Sequence, residues 1–330
     1  MKVVIPLAGK GTRLRPHTYV TPKPLVPVAG RPVMSYILDD LEELGVEEII
    51  FITGYLKEHI EEYVRSEYPQ FRSHFVEQVD QNGTAGAVLL AEPYIDDELL
   101  IIFVDTLFDA DLSIVRDIPE ELAGVIWAKE VEDYQSYGVV VTDKDGNMTR
   151  IVEKPQDPIS RLANIGLYYI RDWELLFQGI HHVLEGTKGP GEEYYLTDAF
   201  QYMIDHGAKI RTIEVDGWYD CGLVDTLIDT NRYLLESGRG LRPVGGVDVK
   251  INEPVRIEEG VELEEVEIGP NVTVAAGSVI RRSKLRDTII GPESVVEDAD
   301  LHDSLIGAHV EVRGAKGALN IADHSAVIDD

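Results

Sequence analysis

Cysteine is all but missing: Cys221 is the one thiol in 330 residues. That excludes an intrachain disulfide and any cysteine-built metal cluster. Positive charge is also scarce. Thirty Lys and Arg stand against sixty Asp and Glu, for a formal net charge of −30. A field of that sign repels nucleic acid and anionic membrane, so neither is an expected partner. It also gives weight to the few places where cations cluster, because an anionic ligand must be drawn there against the overall field. No apolar run approaches the roughly 20 residues that cross a bilayer. The first residues carry no charged-then-apolar leader with a small-residue cleavage site, so a cytoplasmic protein is expected. Core material is ample: 44% of residues are hydrophobic and 27% charged. That suits one large domain with a small one, or two of moderate size.

Over the first part of the chain, short apolar runs alternate with amphipathic ones. Residues 2–8, 47–54, 73–79 and 98–105 read as strands, and 31–45, 57–68 and 84–94 as helices. In 31–45, Val33, Ile37, Leu38, Leu41 and Leu44 share one stripe, with Pro32 in the first turn and Gly45 as the stop. Strands alternating with helices build a mainly parallel sheet covered on both faces. Ligands in such sheets bind beyond the carboxyl ends of the strands. The loop 8–23 and Asp105 both fall at ends of that kind. The middle is mixed. Residues 123–131, 138–142, 148–155 and 164–170 read as strands, with a turn at 143–147. Helices follow over 172–184, 196–206 and 223–236. The stretch SGRGLRPVGG, residues 237–246, reads as a linker.

After the linker the texture changes. The phrase Leu-x-(Glu/Asp)-x-x-Ile-Gly recurs at 263–269, 285–291 and 301–307. Apolar residues at 268, 274, 280, 285, 290, 296, 301, 306 and 312 step by five or six. No helix has that period. A coil of three short strands, with about six residues to a side, does, because each turn stacks its apolar residue on that of the next. This is the pattern of a parallel β-helix.

The chemistry-bearing stretch is LAGKGTRLRPHTYVTPKPL, residues 7–25. Gly9 and Gly11 expose bare backbone between a strand and a helix, where N–H groups can meet phosphates. Lys10, Arg13, Arg15, Lys23 and Arg31 cluster around them. A dinucleotide fingerprint would need glycine where Leu14 stands, and the Gly-Lys-Ser/Thr of a P-loop is absent.

The stretch resembles the opening of the sugar-phosphate nucleotidylyltransferases, Gly-x-Gly-Thr-Arg-Leu followed by Lys-Pro and Pro-Val-x-x-x-Pro. Here these are Gly9, Gly11, Thr12, Arg13 and Leu14, then Lys23-Pro24, then Pro27-Val28 and Pro32. The resemblance continues through Gln78 five residues before Gly83, with Gln81 as the weaker base reader, and through Asp105, where Val104 replaces the family's glycine. It includes Tyr137-Gly138, Val152-Glu153-Lys154-Pro155, Asn164 to Tyr168, Leu196-Thr197-Asp198, and Trp218-Tyr219-Asp220-Cys221-Gly222. It runs in order to about residue 236, and the carboxyl-terminal repeat is similar to the left-handed β-helix of longer members.

The resemblance implies an α/β fold: a Rossmann-like mixed, mainly parallel nucleotidyltransferase domain (1–236), a linker (237–246) and a small left-handed parallel β-helix (247–330). It implies an enzyme that makes a nucleotide sugar and pyrophosphate from a pyrimidine triphosphate, dTTP or UTP, and a sugar 1-phosphate, with glucose 1-phosphate foremost. Asp105 and Asp220 are the implied Mg²⁺ ligands. Arg13 is assigned the outer phosphates, Lys23 the α-phosphate and Lys154 the sugar's phosphate. Leu7, Ala8, Gly9, Gly11, Thr12, Gln78, Gly83 and Thr84 frame the nucleotide, with helix capping the plainer role for Thr84. Gly138, Glu153, Asn164 and Tyr168 meet the sugar, with a core position the plainer role for Tyr168. The competing readings are a mannose-1-phosphate guanylyltransferase, a bifunctional enzyme whose β-helix acetylates through His302, His309 or His324, and a silent nucleotide-sugar-binding regulatory subunit. A homo-oligomer assembled through the β-helix is expected.

Overall fold

A computed structural model describes residues 1–239 and 247–329. The predicted linker 237–246 falls, for residues 240–246, outside the described residues. The chain forms two compact units, Met1–Lys10 with Ile37–Trp218, and Gly11–Tyr36 with Tyr219–Asp330.

The first unit is built on a nine-stranded sheet. Its main path runs Met148–Glu153, Gly138–Thr142, Leu162–Ile170, Leu99–Ile102, Lys2–Pro6, Glu48–Thr53, Arg72–Glu77. Strand Gly124–Glu130 joins on Leu162–Ile170, and Ile210–Glu214 pairs with it in parallel. The pairs around Lys2–Pro6 are parallel, whereas Leu162–Ile170 is antiparallel to its neighbours. The sheet is therefore mixed, as the middle of the sequence predicts. Lys2–Pro6 and Leu99–Ile102, in the parallel part, are buried on both faces and carry unbroken apolar runs, VVI and LLII. Val4, Ile50, Ile101, Leu176 and Phe200 join one core between sheet and helices.

Two boundaries move for local reasons. The helix predicted from residue 31 starts at Val33, because Arg31–Pro32 pairs with Pro27–Val28 in a two-residue hairpin. Ala29 and Gly30 supply the two positive φ angles, 45° and 74°, that a tight hairpin turn demands. The helix predicted over 84–94 stops at Leu89 and resumes as a short 3₁₀ turn at Glu92–Tyr94, where Pro93 withholds its N–H. Strand Ile210–Glu214 was not anticipated, although RTIEV alternates in the required way.

In the second unit the carboxyl-terminal repeat folds into a parallel coil. Strand pairs advance by 15 to 17 residues: Glu311 faces Ala326, Val272 faces Thr288, and Glu262 faces Val279. The coil is thus slightly tighter than six residues to a side. The nine apolar positions sort into three columns, Ile268–Leu285–Leu301, Val274–Ile290–Ile306 and Ile280–Val296–Val312. None is more than 2% exposed. Corner residues take left-handed backbone. Asn271, Asp287 and Asp303 form one such column, at φ 62°, 45° and 46°. Asn and Asp tolerate that region better than other side chains.

Candidate functional site

In the first unit, Leu7 and Ala8 continue the strand Lys2–Pro6 and are buried, while Gly9 is exposed. A Cβ added at Gly9 meets no protein atom within 4 Å. The backbone is bare toward open space, which close approach by a ligand requires. Gln81 Nε2 donates to Ala8 O at 2.8 Å and holds this turn. Gln78 is 7% exposed. Its Nε2 donates to Gly83 O at 3.2 Å and to Asn82 Oδ1 at 3.3 Å, leaving Oε1 as an acceptor. Gly83 has φ +116°, and a Cβ there would fall 2.3 Å from Tyr194 O. No other residue fits. Thr84 Oγ1 accepts from Leu196 N at 2.9 Å, so its hydroxyl serves the start of helix Leu196–Asp205.

A second group gathers where strand Leu162–Ile170 bulges. The register shifts between Asn164 and Tyr168, with Gly166 at φ 79° between them. The bulge lets the Tyr168 hydroxyl donate to Asn164 Oδ1. Asn164 Nδ2 donates to Gly138 O at 2.9 Å. A Cβ on Gly138 would stand 2.4 Å from Asn164 Nδ2 and 2.7 Å from Glu153 Oε2. Thr197 Oγ1 donates to Glu153 Oε2 at 3.2 Å. Burial raises the Glu153 carboxyl above its ordinary range, and the Lys154 charge and the Thr197 bond oppose that rise. Burial, reinforced by the charges of Glu153 and Asp105, also raises Tyr168, so its hydroxyl stays a donor. Asp105 follows strand Leu99–Ile102 and lies close enough for its charge to act on Tyr168.

Lys154 sits at the end of strand Met148–Glu153 with φ 45°. Its N–H donates to Tyr137 O at 3.0 Å. Its ammonium donates to the Tyr195 hydroxyl at 3.3 Å. Tyr195 in turn donates to Pro190 O.

The second unit carries Gly11, Thr12, Arg13, Lys23 and Asp220. Gly11 has φ 58°, and a Cβ on it would lie 3.0 Å from Lys23 Cβ. Thr12–Leu14 and Lys23–Leu25 are single 3₁₀ turns, the second stiffened by Pro22 and Pro24. Gly222 joins two of the named residues. A Cβ there would stand 2.8 Å from both the Arg13 guanidinium and Asp220 Oδ1. The Asp220 carboxylate accepts from Gly222 N at 2.8 Å and from Thr226 Oγ1 at 3.4 Å. Among the described residues, no three His, Cys, Asp or Glu converge on a metal position. Asp105 and Asp220 offer hard carboxylate oxygens that suit Mg²⁺, an ion that takes one or two carboxylates and fills its shell with phosphate oxygens and water.

Tyr195, which holds Lys154, and Thr197, which holds Glu153, were given no role by sequence. Their signal was position alone, beside and within Leu196-Thr197-Asp198. Gln81 reaches Ala8 rather than an open edge.

The mixed sheet with its strand-end turns defines an α/β protein. The nucleotidyl transferase family model matches residues 2–237, and the chain belongs to that family. The chain is 36% identical over 266 residues to the bifunctional protein GlmU of Methanocaldococcus jannaschii, across 80% of this chain and 60% of that one. It thus spans about three fifths of that relative's length. It is 35% identical to the UTP–glucose-1-phosphate uridylyltransferase AglF of Haloferax volcanii, across 66% of this chain and 89% of the relative. The solved structure of a UDP-glucose pyrophosphorylase complexed with UDP-glucose superposes with a TM-score of 0.64 at 25% identity, covering 72% of this chain and 98% of that one. Among the described residues, no helix is long and apolar enough to cross a membrane.

Proposed function

We propose that the chain transfers a nucleotidyl group from a pyrimidine nucleoside triphosphate, UTP or dTTP, to a sugar 1-phosphate, glucose 1-phosphate foremost. The observation that carries this is the cluster in which Asn164 and Glu153 crowd Gly138 too closely for any side chain, beside Lys154. Such a cluster presents acceptors and donors for sugar hydroxyls next to a cation for the phosphate. The oxygen of the sugar phosphate bonds to the α-phosphorus. The bond from that phosphorus to the β-phosphate's bridging oxygen breaks, and its electron pair leaves with pyrophosphate. The attacking oxygen is already ionised near neutral pH, so no general base is needed.

The work is positioning and charge neutralisation. Lys154 holds the sugar phosphate, Lys23 the α-phosphate and Arg13 the outer phosphates. Leu7, Ala8, Gly9, Gly11 and Thr12 line the nucleotide with backbone. Gln78, with Nε2 engaged by Gly83 O, presents Oε1 to the N3–H of uracil or thymine. Asp105 and Asp220 are each proposed as a ligand of Mg²⁺, which would supply charge neutralisation among the phosphates. The domain division is taken as a catalytic part, 1–236, and a coil, 247–330. The coil is taken as the assembly surface of a cytoplasmic homo-oligomer; a native mass equal to one chain would remove that part of the reading.

The test is pyrophosphate release with Mg²⁺ and glucose 1-phosphate, offering UTP, dTTP, GTP, ATP and CTP in turn. Release with UTP or dTTP is expected. Release only with GTP and mannose 1-phosphate would replace the specificity, and no release across sugar phosphates would leave a silent binding subunit. The bifunctional relative favours a second reading, in which the coil also acetylates; thiol release from acetyl-CoA decides it.

A further inference from the structure

Three contacts inside the second unit join the loop Gly11–Tyr36 to the parallel coil and to the helix before it. The central one is Asn231, on helix Val224–Leu234, which is 0% exposed. Its Oδ1 accepts from Ala29 N at 2.9 Å and from Thr273 Oγ1 at 2.7 Å, and its Nδ2 donates to Asn271 O at 3.2 Å. One buried amide thus satisfies the loop's hairpin and two residues of one coil. At one side, Gly30 presses on the Arg256–Glu258 ion pair so closely that a Cβ would fall 2.0 Å from Arg256 Nε. At the other, His17 Nε2 donates to Asn320 Oδ1 at 2.6 Å, and His17 is 6% exposed. The loop so held carries Gly11, Arg13 and Lys23. The next residue of the same helix, Arg232, pairs with Asp287 of the following coil at 2.9 Å.

We propose that Asn231 is a positioning residue, and that through it and Asn320 the coil is the rigid seat of the loop bearing Arg13 and Lys23. The inference rests on the nucleotidyl-transfer reading above. The loop carries a gap in hydrogen bonding that its own residues do not fill: Ala29 lies in a left-handed turn, and its N–H is buried and bonded to Asn231 alone in the described contacts. A buried N–H without its acceptor is strongly disfavoured, so the hairpin's place depends on the amide. An Arg or Lys displaced by about 1 Å loses on the order of a hundredfold in such chemistry. The coil therefore acts in the reaction through the geometry of the triphosphate's cations, whatever it does in assembly.

The full chain tests this with Asn231→Ala and, because a buried change can unfold, with Asn320→Ala at the exposed rim. Asn320→Asp keeps the acceptor for His17 and serves as the rescue. The first readout is hydrogen exchange. Peptides from 11–36 should exchange faster in both alanine variants, while peptides from 48–53 and 99–102 stay as in the unaltered chain. The second is steady-state kinetics with UTP or dTTP and glucose 1-phosphate. The triphosphate KM should rise and kcat fall by about fivefold or more together, with the sugar-phosphate KM within about twofold, and Asn320→Asp should restore both. Unchanged exchange in 11–36, or equal changes in both KM values, would overturn the inference while the enzyme stays active. Absence of pyrophosphate release from the unaltered chain would overturn the transfer reading and the kinetic part of the inference with it.

Discussion

The Lys154 ammonium lies 3.3 Å from the Tyr195 hydroxyl and 5.1 Å from the centre of its ring. The two residues are 41 apart in sequence, and Tyr195 is 5% exposed. Lys154 takes left-handed backbone at the end of its strand, so its direction is set at both ends, by the main chain and by the phenol. In Tyr195→Phe the ring stays and the hydroxyl goes. A hydrogen bond to a charged group contributes about 1.5–3 kcal/mol, so kcat/KM for the sugar 1-phosphate should fall by about tenfold. The triphosphate KM should hold. A parallel rise in both KM values would mean that Tyr195 supports the fold and not the cation.

Glu153 predicts a pH-dependent exchange of stability for function. Burial is the main cause of its raised pKa. A carboxyl raised in the folded state favours folding most when protonated, below its ordinary value. That stability is lost as pH rises through the raised value. Glu153→Gln does not titrate. Its melting temperature relative to the unaltered chain should therefore climb between about pH 4 and pH 8, while sugar-phosphate turnover drops. An offset that stays constant over this range would show that Glu153 is ionised without cost.

Asp220 has two duties that one substitution separates. Asp220→Asn keeps an oxygen for Gly222 N, now at 2.8 Å, and removes the charge. Turnover should drop by about a hundredfold or more, with a weaker response to Mg²⁺. The melting temperature should shift little. Asp220→Ala should lose turnover and stability together. Full activity in the asparagine variant would remove Asp220 from the metal assignment.

His17 ties acid stability to the same loop. Burial lowers its pKa from 6.5, and the Asn320 bond and the Asp323 charge work against that lowering. A histidine lowered in the folded state contributes stability above its ordinary pKa, and that contribution is lost as pH falls below it. Urea denaturation at about pH 7.5 and pH 5 should show a smaller pH-dependent loss in His17→Asn than in the unaltered chain. Equal losses would show that folding does not lower the pKa of His17.

The strands, helices and coil of this protein are legible in its sequence because their signals are local. Ile268, Val274 and Ile280 announce the coil by spacing, and the structure places each in its own column. Val3, Val4 and Ile5 announce a doubly buried strand by being continuous. Less legible were elements set by single backbone constraints, such as the hairpin that delays the helix to Val33. The candidate site residues were read through motifs, each a short run at a strand end. The structure adds which of these runs meet inside one unit: Gly138 with Glu153 and Asn164, and Arg13 with Asp220 around Gly222.

By itself, then, the sequence determined the periodicities and the cations gathered in an otherwise acidic chain. Both follow from chemistry within short stretches of chain. Only the tertiary structure decided that Tyr195 holds Lys154, that Thr197 holds Glu153, and that Asn231 joins Ala29 to Thr273 across 202 and 42 residues. Those bonds depend on side-chain atoms being brought within about 3 Å from distant parts of the chain. No local pattern encodes such a meeting, since an asparagine on a helix looks the same whether it faces water or a buried amide.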